Sequence, residues 1–124
     1  IAGATIKNSL ISDGCIIGRG SVIENSVIGV RAVIGDNVTI RNTYFMGADW
    51  YEDSHPTSGE PSFGVGANSV IERAILDKNM RIGRGVRILN EAGVMESEDM
   101  PTHVIRDGIV VVPKLAVVPD GTIV

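Results

Sequence analysis

The stretch 11-ISDGCIIGRGSVIENSVIGVRAVIGDNVTI-40 decides the fold, because its aliphatic residues recur every six positions with one five-residue step in each cycle. The anchors are Ile11, Ile17, Ile23, Ile28, Ile34 and Ile40. Counting outward reaches Ile6, and beyond a gap the count resumes at Val65, Ile71, Leu76, Ile82, Ile88 and Val94. Steps of five, six and six make a period of 17, which places Ile6, Ile23 and Ile40 in register, as it does Ile71 and Ile88. A fixed period of this kind predicts a solenoid.

Each step reads as a short strand followed by a corner. Counting the anchor as first, the fourth residue of the six-residue steps is Gly14, Gly20, Asn37, Asn68, Asn79 or Gly85, with Arg31 and Glu91 as exceptions. Gly and Asn enter left-handed backbone at least cost, which a sharp corner requires. The second position is often Gly (Gly18, Gly29, Gly35, Gly66, Gly83), and the fifth is often compact (Cys15, Ser21, Ala32, Ser69, Ala92), as expected where coils close inward. The pattern resembles the hexapeptide repeat of left-handed parallel β-helices, triangular prisms with three flat faces per coil. Spacing alone gives three sides. The left hand is implied by the resemblance and is an exception to the right-handed rule for parallel crossovers.

The composition agrees with such a prism. At 124 residues the chain suits one domain, and 44% hydrophobic content with only 4% aromatics predicts a long, thin core of stacked Ile and Val. Burial of each anchor contributes roughly 1.5–3 kcal/mol, so a dozen of them offset much of the ordering entropy. A net charge of −4 argues against nucleic-acid binding through overall charge. One cysteine excludes an internal disulfide, and Cys15 reads as a packed thiol. No apolar run approaches a membrane span. The chain therefore reads as soluble and intracellular. Lacking an initial Met and entering its first coil at Ile6, it is expected to be a fragment that follows another domain.

The expected organisation is regular coils over about 6–45 and 64–94, an inserted loop over about 46–63, and a closing segment over 95–124. Ile40 and Ile71 lie 31 residues apart, so one coil of 17 leaves about 14 residues of extra chain. That loop contains Asp49, Glu52, Asp53, His55, Pro56, Ser58, Gly59, Glu60 and Pro61. All the aromatics, Tyr44, Phe45, Trp50, Tyr51 and Phe63, lie in it or on its flanks. They are candidates for docking against another surface, the alternative being that they cover a face of the domain's own prism. The closing run 107-DGIVVVPKLAVVPDGTIV-124 is expected to give two short buried strands separated near Pro113 and a corner near Pro119–Gly121.

Charge is segregated. Residues 73–87 carry Arg73, Lys78, Arg81, Arg84 and Arg87 against the single acid Asp77. Outward cations in adjacent coils converging on one phosphate would make an anion site. The alternative is a solvated row of charges balanced by the acids of 91–107. Lys114 is a lone cation in an apolar run, either snorkelling to solvent or reaching an anion.

Three segments, 25–52, 64–88 and 107–124, resemble in order the C-terminal domain of ADP-glucose pyrophosphorylase (glucose-1-phosphate adenylyltransferase). The specific elements are MGADWY at 46–51, ILDKNMRIG at 75–83 and GIVVVPK at 108–114. The resemblance implies a regulatory and oligomerisation domain, joined to its own N-terminal nucleotidyltransferase domain within a homo- or heterotetramer. That parent converts ATP and glucose 1-phosphate to ADP-glucose and pyrophosphate in glycogen or starch synthesis. Its Mg2+ belongs to the catalytic domain, whose Gly-rich loop and metal-binding acids are absent here, so no cofactor is expected in this domain and no turnover from it alone. Phosphorylated metabolites are the implied effectors, with Lys78 and Lys114 as activator-binding lysines; by its own chemistry the neighbouring Asp77 is a candidate to orient Lys78. Arg81 and Arg84 are further candidates from charge. The implied location is a bacterial cytoplasm or plastid stroma. PKL at 113–115 and a shorter loop depart from the plant pattern, which leaves the effector's identity open. Two competing readings are a hexapeptide acyltransferase, which needs a histidine base where only His55 and His103 exist, and a purely structural stacking domain.

Overall fold

Each step of the repeat folds as one short strand and one corner. In the computed structural model, which describes residues 3–50 and 61–124, the first coil comprises β1 (Thr5–Lys7), β2 (Leu10–Ile11) and β3 (Ile16–Ile17). The next two are β4 (Val22–Glu24), β5 (Val27–Ile28), β6 (Val33–Ile34), and β7 (Thr39–Arg41), β8 (Tyr44–Phe45), β9 (Gly64–Val65). Then follow β10 (Val70–Glu72), β11 (Ala74–Leu76), β12 (Arg81–Ile82) and β13 (Arg87–Ile88). After an excursion come β14 (Val104–Arg106), β15 (Ile109–Val112) and β16 (Val117–Val118).

Successive strands of a coil go to three different sheets. Face A is β1-β4-β7-β10-β13, face B is β2-β5-β8-β11-β15 with β14 at its edge, and face C is β3-β6-β9-β12-β16. The described pairs are parallel except the antiparallel hairpin β14–β15. Anchors stack on anchors: Ile6, Ile23, Ile40, Ile71 and Ile88 on face A, and Ile17, Ile34, Val65, Ile82 and Val118 on face C. Ile23, Ile28, Ile40, Ile71, Leu76, Ile82 and Ile88, drawn from all three faces, are fully buried, which makes these columns the main apolar contribution to stability.

Face B corrects one expectation. Phe45 stands between Ile28 and Leu76 in that column and is 1% exposed, so it is a core anchor and has no surface with which to dock. It falls five residues after Ile40, and spacing rather than aromatic character decides its place.

The corners follow the spacing. Gly14, Gly20, Asn37, Asn68, Asn79 and Gly85 all have positive φ, and Arg31 adopts the same conformation at φ 56°. In the five-residue steps the turn comes one position earlier, at Asn8, Asn25, Asn42 and Arg73. Glu91 is no corner. Val94, which spacing would make an anchor, is 37% exposed, because the chain leaves the prism after Ile88. The buried Asn90 clamps that departure: its amide donates to the carbonyls of Val94 and Gly108 and accepts from the Val94 N–H. The chain then rejoins face B at β15 and runs one more coil through Val112, Val118 and Val124, with corners at Leu115 (φ 65°) and Gly121 (φ 72°).

Candidate anion-binding site

The pairing offset is the same on both sides of the corner between faces B and C, with Leu76 opposite Val112 and Arg81 opposite Val117. The residues between are therefore matched too, and Lys78 lies opposite Lys114. The Leu115 N–H donates to the Lys78 carbonyl at 3.2 Å, tying the two corners together. Two lysines 36 positions apart in sequence are one coil apart on the same edge of the prism.

The preceding coil adds a third charge to that edge. The Asn79 N–H donates to the Gly47 carbonyl, and Asp49 follows directly on Ala48. The Asp49 carboxylate accepts from Lys78 Nζ at 3.1 Å and from Asn79 Nδ2 at 3.0 Å, while the Asp49 N–H donates to Asn79 Oδ1 at 2.9 Å. Asn79 is 2% exposed, so both ends of its amide are committed to Asp49 from a buried position. The Asn79 amide, then the Lys78 ammonium, hold the Asp49 carboxyl below its ordinary value, and Lys114 adds to the effect through space.

Asp77 engages the Lys78 backbone. Its Oδ1 accepts the Lys78 backbone N–H at 2.6 Å, which shapes the corner, and the Lys78 ammonium turns to Asp49. Arg81 is also engaged: Nη1 donates to the Pro61 carbonyl at 2.9 Å, and the guanidinium lies 4.2 Å over the Phe63 ring. Arg84 lies at the next corner, between faces C and A, where its N–H donates to Asp120 Oδ1. The structure thus brings Lys78 and Lys114 onto one edge, holds Arg81 at Pro61 and Phe63, on the returning side of the first excursion (between Trp50 and Pro61), and puts Arg84 on another edge. Asp49 and Asn79 were missed as members of the site. Asn79 was legible only as a corner, and Asp49 only as a residue of the inserted loop and of MGADWY.

Of the aromatics, Trp50 is 54% exposed and meets Phe63 edge to face at 6.2 Å between centroids. Tyr44, 51% exposed, stands on face B in an outward apolar row that runs Leu10, Val27, Tyr44, Ile75 and Val111 in register. Tyr51 and His55 lie outside the described residues. His103 belongs to the second excursion, where Nδ1 is 2.8 Å from the Thr102 hydroxyl and burial lowers its pKa. The Cys15 thiol donates to the Gly29 carbonyl. Among the described residues no group of three His, Cys, Asp or Glu is arranged to hold a metal, and no helix is long and apolar enough to cross a membrane.

Residues 1–123 match the family model of the GLGC left-handed parallel beta-helix domain. That match supplies the handedness which spacing leaves open. With the strands of the described residues wound on three faces, parallel except for the β14–β15 hairpin, and the match running almost end to end, the chain belongs to the GLGC left-handed parallel beta-helix family, that of the C-terminal β-helix domain of ADP-glucose pyrophosphorylase.

Proposed function

We propose that this chain is the regulatory and oligomerisation domain of an ADP-glucose pyrophosphorylase, and that its Lys78–Lys114 edge binds a phosphorylated effector. The family implies a nucleotidyltransferase parent. In that parent the catalytic domain, with its Mg2+, converts ATP and glucose 1-phosphate to ADP-glucose and pyrophosphate for glycogen or starch synthesis, in a bacterial cytoplasm or a plastid.

The observation that carries the reading is the stacking of Lys78 on Lys114 in adjacent coils. Two ammonium groups on one edge present point charges with three donors each, suited to the several oxygens of a phosphate. The effector acts by binding one state of the assembly better than another, so it shifts populations without adding a catalytic group. The apolar row of face B and exposed Trp50 are the surfaces offered to the catalytic domain and to neighbouring subunits in a homo- or heterotetramer.

The test is pyrophosphate release by the full-length parent from ATP and glucose 1-phosphate, titrated with phosphorylated metabolites. Lys78→Ala and Lys114→Ala are each expected to raise the half-activating concentration about tenfold, as loss of one charge-assisted bond to phosphate would, with basal activity retained. Regulation unchanged in both variants would assign the domain to scaffolding alone.

A further inference from the structure

The Lys78 ammonium already has an anion on it. The Asp49 carboxylate holds it at 3.1 Å, and the grip is asymmetric. Oδ2 is fixed by the buried Asn79 amide, whereas Oδ1 contacts an ammonium whose side chain is 43% exposed. A phosphate at this edge needs that same ammonium, and it carries more charge and more acceptor oxygens than a carboxylate. Asp49 and a phosphate cannot both have it on equal terms.

What Asp49 does is tied to its neighbours along the chain. Trp50 follows it directly and packs on Phe63; Phe63 lies under Arg81, which also holds the Pro61 carbonyl. The two ends of the first excursion therefore meet in one stem, and that stem begins at the carboxylate which pairs with Lys78.

We infer that Asp49 is a built-in competitor for the effector: its carboxylate holds the Lys78 ammonium until a phosphate takes it, and its release loosens the Trp50–Phe63–Arg81 stem. The inference rests on the reading of the Lys78–Lys114 edge as a phosphate site. It adds a regulatory part to that site, in which effector binding is reported to the first excursion through a single displaced ion pair.

The chain's single tryptophan makes the displacement readable. Binding of radiolabelled inorganic phosphate is measured by equilibrium dialysis at constant ionic strength, with Trp50 emission followed in parallel. Asp49→Asn keeps the contact to Asn79 and removes the competing charge, and should bind phosphate about fivefold tighter, the worth of one half-exposed ion pair. Phosphate should change Trp50 emission in the wild type and leave it unchanged in Asp49→Asn, which has no ion pair with Lys78 to lose. Asp13→Asn removes an equal charge from the first coil and controls for the general field; it should gain less than about twofold, as distant exposed charges are screened. If Asp49→Asn gains no more than Asp13→Asn, or keeps the full Trp50 response, while Lys78→Ala and Lys114→Ala abolish binding, the competitor is overturned and the phosphate site stands. If both lysine variants bind phosphate as the wild type does, the site itself falls, and the inference with it.

Discussion

Gly29 and Gly85 are glycines for different reasons. A Cβ on Gly29 would lie 2.1 Å from the Met46 carbonyl oxygen of the next coil, so the constraint is the closeness of two backbones. A Cβ on Gly85 would meet nothing within 4 Å, and the constraint is its φ of +63°. Gly85→Asn is therefore expected to change stability by less than about 0.5 kcal/mol, since Asn already fills such corners at Asn37, Asn68 and Asn79. Gly29→Asn should cost about 3 kcal/mol or more, as overpacking against rigid backbone does. Urea melts of the two variants distinguish the cases. Both classes of glycine were legible from position in the step. Arg31, Arg73 and Leu115 were not, since nothing in their side chains favours positive φ and only the stacking of coils above and below imposes it. Phe45 was misjudged for the converse reason, its chemistry outweighing its position in the count.

At the scale of the element, the compact fifth residue of a step turns out to have a second task. Ser69 is fully buried, and its hydroxyl donates to the Gly83 carbonyl and accepts the Val86 N–H, both at 3.1 Å. Ser21 makes the matching pair with Gly35 and Val38 two coils earlier. At these corners the backbone ladder from coil to coil is completed through a side chain. Ser69→Ala leaves the Val86 N–H without its acceptor and is expected to cost about 1–3 kcal/mol, although the volume change is small. Thermal melts measure the loss, and hydrogen exchange at the Val86 amide locates it. Sequence spacing shows that the residue is often small and is silent on the hydroxyl, because Ala32 occupies the same position with no polar group. The last coil was hidden by a related ambiguity. Val112, Val118 and Val124 keep the six-residue step, but the run of valines from 110 to 112 and the excursion after Ile88 obscure where the count restarts.

For the whole molecule, a cluster in sequence and a cluster in space are different things. Lys78 and Arg84 are six apart, one step of the repeat, and so occupy different edges of a three-sided prism. Lys78 and Lys114 look unrelated in sequence and share an edge. Only the register of β11 with β15 and of β12 with β16 joins them, and that register depends on the length of the second excursion, which no periodicity encodes. The lysines were therefore legible through family resemblance, and the edge that unites them only through the fold.

The prism keeps its register across residues 51–60 and across the second excursion. Ile40 lies beside Ile71, Phe45 beside Leu76 and Ile34 beside Val65, so all three faces are joined across the first excursion by strand pairing and not by the connecting peptide. A break anywhere between residues 51 and 60 severs none of the described strand pairs. Continuity of the backbone there is dispensable to the architecture, and the chain is in effect two complementary parts that happen to be tethered. Residues 1–50 and 61–124 produced as separate polypeptides are expected to reconstitute one prism, co-purifying through a tag on either piece and recovering the β-sheet circular dichroism of the intact chain on mixing.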